Sequence, residues 1–129
     1  MQLDRFDHLV LTVQDLEKTL DFYTRVLGME AREEKGRWSL HFGRQKINLH
    51  TEKGQFQPAA AVPCYGSQDM CLIAAGDIGQ IREELAATGW PIELGVVPRN
   101  GALGPMDSVY LRDPDGNLIE IAVYQETLS

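Results

Sequence analysis

The order of elements in this chain is stated twice, and few folds accommodate that. Near the N-terminus, Leu9, Val10, Leu11 and Val13 form a short branched run with the composition of a strand. Asp15 follows as an N-cap, then Leu16, Leu20, Tyr23 and Leu27 at helical spacing. Gly28 stands where a left-handed residue ends a helix. The same order then returns. Residues 70–74 read as a strand, Asp77 as a cap, Ile78, Ile81 and Leu85 as a helical stripe, and Gly89 as a stop. The caps lie 62 residues apart and the stop glycines 61.

Strand signals complete each half. Residues 29–36 suit an edge strand, 37–42 alternate with the two-residue period of a half-buried strand, and 46–50 set Ile47 and Leu49 against Asn48 and His50. In the second half, 91–97, 108–111 and 118–124 read as strands. The Asp113-Pro114-Asp115-Gly116-Asn117 run between the last two is a strong turn signal. Residues 54–66 carry Pro58, Pro63 and consecutive alanines without periodicity and read as a linker. The expectation is an α+β domain of two tandem βαβββ modules, about 4–53 and 68–125, joined by a linker at about 54–67. A half of about 60 residues is marginal alone. Paired, the modules would form a cup-shaped curved mixed sheet backed by helices.

Twelve Lys and Arg against nineteen Asp and Glu leave a net charge of −7. That balance argues against nucleic acid or an anionic membrane as partner, and leaves room for a small anion in a local basic pocket. Cys64 and Cys71 form no C-x-x-C pair and read as structural thiols of a reducing compartment. With no signal-peptide pattern and no spanning apolar run, a cytoplasmic protein is expected.

Candidate chemistry follows from coincidence of position. His8 and Asp69, 61 residues apart, open equivalent strands; His50 and Glu120 lie on the last strand of each half. A carboxylate between Ile119 and Ile121 is costly to bury unless it is paired or binds a metal. On an alternating strand it can equally point to water. Taken singly, His8 reads as an ordinary histidine, Asp69 as a turn residue and Asn48 as a polar strand residue. Were the modules to pack as pseudo-symmetric sheets, these side chains would meet in one cavity as a divalent transition-metal site.

Asp7-His8-Leu9-Val10-Leu11-Thr12-Val13, with Asp15-Leu16, Phe22-Tyr23 and Val26-Leu27-Gly28, resembles the opening of a vicinal-oxygen-chelate domain. The run Tyr110-Leu111-Arg112-Asp113-Pro114-Asp115-Gly116-Asn117-Leu118-Ile119-Glu120-Ile121 resembles its ending. That superfamily includes glyoxalase I, fosfomycin-resistance proteins, extradiol dioxygenases, methylmalonyl-CoA epimerase and metal-free bleomycin-binding proteins. Lys46-Ile47-Asn48-Leu49-His50 with the Asp-Pro-Asp-Gly-Asn ending is similar to its glyoxalase-domain-containing-protein-5-like subgroup, which includes lactoylglutathione lyase-like and virulence-associated bacterial proteins.

The resemblance implies a divalent metal (Zn, Ni, Co, Mn or Fe) on His8 and Glu120. Asp69 stands where the family usually has histidine, and Asn48 where glyoxalase I has glutamate, with His50 as a substitute donor. It implies a glyoxalase I-like isomerase acting on the hemithioacetal of a 2-oxoaldehyde such as methylglyoxal, with Glu120 or Asp69 moving the proton. Arg99, Arg112 and Tyr110 are candidate substrate contacts; a solvated surface role is the alternative for the arginines. A metal-free drug-binding protein, with Trp38, Phe42, Tyr65 and Tyr110 around its ligand, is the second reading, and an extradiol dioxygenase the third. A homodimer is implied as well.

Overall fold

The structure, a computed structural model, describes residues 1–126. The chain divides into two compact units, Met1–Ser67 and a second beginning at Gln68. Each carries one four-stranded mixed sheet, so the fold is α+β and the doubled element order is real.

In the first unit, β1 (His8–Thr12) is followed by α1 (Leu16–Asp21), β2 (Glu30–Glu34), β3 (Arg37–Phe42) and β4 (Gln45–His50). The sheet order is β1-β4-β3-β2, with β1 parallel to β4 and the other pairs antiparallel. Asp15 caps α1 by accepting the amide of Lys18 at 3.0 Å. The expected leucine stripe is displaced, however. The helix passes at Phe22–Val26 into a π-helical turn, with the Leu27 amide reaching back to the Phe22 carbonyl at 3.2 Å. A π turn shifts the facing by part of a turn, so Thr19, Phe22, Tyr23 and Val26 are buried while Leu16, Leu20 and Leu27 are only half-buried.

The second unit comprises β5 (Asp69–Ile73), α2 (Ile78–Ala87), β6 (Leu94–Gly101), β7 (Gly104–Arg112) and β8 (Leu118–Tyr124), in sheet order β5-β8-β7-β6. Asp77 caps α2 through the Gln80 amide at 3.0 Å. Two strands run further than the sequence suggests. The strand read at 91–97 ends before Pro98, but β6 is an edge strand, where a residue without an amide hydrogen is tolerated. The β6–β7 hairpin therefore continues to the Gly101–Gly104 pair. Among the described residues no helix is long and apolar enough to cross a membrane.

Candidate functional site

Strand alternation decides which way Glu120 faces. Ile119 and Ile121 are buried in the core of the second unit, and Glu120 stands half-buried on the opposite face of β8. Its register partners are Cys71 on β5 and Tyr110 on β7. Ser108, fully buried, donates its hydroxyl to Oε2 of Glu120 at 2.6 Å. The same face carries Asp69, opposite Leu118 and exposed, and Arg99, opposite Met106. Arg99 Nε donates to the Tyr110 hydroxyl at 2.9 Å. Arg112 also lies on this face, but its guanidinium is occupied by a forked pair with Glu93 at 3.1 and 3.2 Å. Burial, and then the Glu120 charge, push the Cys71 thiol up to about 11. Sequence reasoning missed Ser108 and Cys71 as members of this group; the signal was there in their two-residue alternation, once the strand pairing is known.

The Asp-Pro-Asp-Gly-Asn turn has a mechanical part in this arrangement. Asp113 Oδ1 accepts the amides of Asp115 and Asn117 at 3.0 and 2.9 Å, and its Oδ2 takes the Asn117 side-chain amide at 2.7 Å. Asn117 Oδ1 in turn accepts the Gln68 amide at 2.8 Å. Both Asp113 and Asn117 are buried. The turn thereby ties the start of β5 to the start of β8, and with them the positions of Asp69 and Glu120.

The first unit presents a polar face too. His8 pairs with Lys46, Val10 with Asn48 and Thr12 with His50; His41 and Ser39 continue the rows on β3. All three histidines of the chain thus share one sheet face. His8 Nδ1 is 2.7 Å from Asp7 Oδ2. That bond holds the Asp7 carboxyl below its usual range and leaves Nε2 as the His8 ring nitrogen outside it. A cavity of about 470 Å³ is lined by Asp7, Arg32, His41, Arg44 and Lys46 among others. A second, of about 340 Å³, is lined by Arg37, Ser39, Lys46, Asn48, His50 and Phe56 among others. Burial, and then the Arg37 charge, lower the pKa of His50. His41, Arg37 and Phe56 were not candidates from the sequence.

Residues 5–121 match the Glyoxalase/Bleomycin resistance protein/Dioxygenase superfamily. The chain belongs to this superfamily. It is 49% identical over 121 residues to glyoxalase domain-containing protein RDO1 of Mycosarcoma maydis, covering 93% of this chain and 68% of that protein. The crystal structure of virulence protein STM3117 from Salmonella typhimurium is similar with a TM-score of 0.93 at 48% identity, covering 97% of this chain and all (100%) of the other. Lactoylglutathione lyase from Agrobacterium tumefaciens shares the fold, with a TM-score of 0.72 at 23% identity over 95% of each chain.

Within a glyoxalase-superfamily frame, register distinguishes Asn48 from His50. Asp69 pairs with Leu118, and Glu120 lies two residues beyond that partner. In the first module His8 pairs with Lys46, and the residue two beyond is Asn48. Asn48 is therefore the register equivalent of Glu120, and His50 sits one pair further along, opposite Thr12. Among the described residues, no three His, Cys, Asp or Glu side chains form a group that could hold a metal ion.

Proposed function

We propose that this superfamily member is a metal-dependent, glyoxalase I-like isomerase of a thiol hemithioacetal derived from a 2-oxoaldehyde such as methylglyoxal. The observation that carries the reading is the Glu120 carboxylate: it stands off the core face of β8 with one oxygen fixed by Ser108. A carboxylate held by one oxygen keeps the other for proton transfer. By donor type His8, His50, Asp69 and Glu120 are the residues that would hold a divalent transition metal, although among the described residues they form no three-donor group. When bound, such an ion stabilises negative charge developing on the vicinal oxygens of the substrate.

In this chain Glu120 takes the proton from the carbon bearing sulfur and hydroxyl and returns it to the neighbouring carbonyl carbon. The hemithioacetal becomes a 2-hydroxy thioester, with no net gain or loss of electrons. Arg99, held against Tyr110, receives an anionic substrate group. Arg112 is the weaker substrate contact because Glu93 already engages it. The protein acts as a homodimer.

The test is thioester formation from methylglyoxal and glutathione with each of Zn, Ni, Co, Mn and Fe. Product above the metal-only blank is expected, with Glu120→Gln lowering turnover by about a hundredfold or more. No product with any metal overturns the reading. The absence of a three-donor group among the described residues favours one alternative, a metal-free small-molecule binder. Protein purified without chelators and lacking stoichiometric metal would favour it further.

A further inference from the structure

We propose that the 340 Å³ cavity on the polar face of the first sheet is a binding site for the carboxylate of a small organic acid. Its chemistry runs against the rest of the chain. The protein carries a net charge of −7, yet Lys35, Arg37 and Lys46 line this cavity against a single carboxylate, Glu34. Among the described residues neither Arg37 nor Lys46 has a carboxylate within ion-pair distance.

The cations are also held in place. The Arg37 guanidinium carbon sits 4.0 Å from the centre of the Phe56 ring, and His50 meets the edge of the same ring with centroids 5.2 Å apart. Such stacking fixes a planar fork whose donors match a carboxylate in bidentate fashion. His50 is 9% exposed, and neither of its ring nitrogens has a hydrogen-bond partner among the described residues. Neither nitrogen is a sealed, unpartnered polar atom, so both stay open to a ligand in the cavity. Asn48 and Ser39, whose hydroxyl is 2.9 Å from His41 Nε2, also line the cavity. A volume of this size admits a small molecule. Phe56 gives it one apolar edge, so the acid best matched carries a compact apolar group beside its carboxylate.

This deepens the isomerase reading, since it names a substrate class, and it rests on that reading only for turnover of the bound acid. Binding is measured on the full chain without added metal, using benzoate as probe and benzamide as its uncharged counterpart. Imidazole resonances of His50, assigned with His50→Gln, report occupancy. Benzoate is expected to shift them saturably, with benzamide about tenfold weaker and Arg37→Gln and Lys46→Gln each weakening benzoate about tenfold. Rising salt weakens benzoate and leaves benzamide unchanged. Equal binding of the two probes, or wild-type affinity in both variants with folded circular-dichroism spectra, overturns the proposal. Turnover of the hemithioacetal is scored separately, so its absence alongside selective benzoate binding rejects the isomerase and leaves this site standing.

Discussion

Ser108 and Glu120 are joined across the β7–β8 pair by a 2.6 Å hydrogen bond, although Ser108 is itself register partner to Ala122. The bond is diagonal, and it draws the carboxylate toward β7 rather than β5. Ser108→Ala removes a donor from a fully buried position. A loss of about 1 kcal/mol in urea unfolding is expected, with isomerase turnover reduced because Glu120 is no longer held. Glu120→Gln keeps an acceptor for the serine, so it is expected to stay within about 1 kcal/mol of the parent while losing turnover.

Cys71 supplies a probe of the Glu120 charge. Its thiol is pushed up to about 11 by burial first and by Glu120 second. Iodoacetamide labelling followed by mass spectrometry should show Cys71 reacting slowly near neutral pH and faster as pH rises toward that value. Glu120→Gln should speed its labelling. Unchanged rates in that variant would mean the carboxylate does not face the sulfur.

Asn117 joins two strands and a turn through its buried amide, which bonds both Gln68 and Asp113. Asn117→Ala takes the acceptor from the Gln68 amide and one donor from the Asp113 carboxylate. An expected cost of about 2–4 kcal/mol, read by chemical denaturation, follows from losing two long-range hydrogen bonds and the packing of a buried side chain. A cost below about 1 kcal/mol would show that the turn is not a strut.

Gly95 is a position where a side chain has no room. Its φ is +124°, and a Cβ there would lie 2.6 Å from the Ser108 carbonyl oxygen and 2.8 Å from Val109 Cα. Both obstacles are backbone. Gly95→Ala should cost roughly 2 kcal/mol or more and should perturb the neighbouring Ser108–Glu120 bond. Thermal melting and benchmark amide shifts of β7 check this.

His41 and His50 make stability depend on pH near neutrality. Burial is the main cause that lowers both below the ordinary 6.5, with Arg32 and Lys46 adding to it at His41 and Arg37 at His50. The unfolded chain then binds protons more readily than the folded one as pH falls below 6.5. Their contribution is fully present above that value and is lost as pH drops toward the folded values. The urea midpoint should decline between about pH 7.5 and about pH 5.5, and the decline should flatten in a His41→Gln, His50→Gln double variant.

Some of this was legible in the residues themselves. The repeated order of elements, both aspartate caps, the strand at Arg37–Phe42 and the strand at Leu118–Tyr124 all follow from local pattern, because caps and two-residue alternation are settled by neighbours in sequence. The π turn at Phe22–Val26 was not, since it depends on packing choosing Phe22 and Val26 over the leucines. The reach of β6 past Pro98 was not either, because only sheet order reveals an edge.

The amino-acid sequence by itself determined the twofold βαβββ plan and the identity of the groups able to do chemistry, His8, His50, Asp69 and Glu120 among them. Tertiary structure alone decided what surrounds each of those groups. It chose Ser108 for Glu120, occupied Arg112 with Glu93, put Asn48 in the place equivalent to Glu120, and set His50 beside Arg37 and Phe56. The physical reason is that pairing register and long-range hydrogen bonds are fixed between residues distant in the chain, and a local pattern carries no record of its partner.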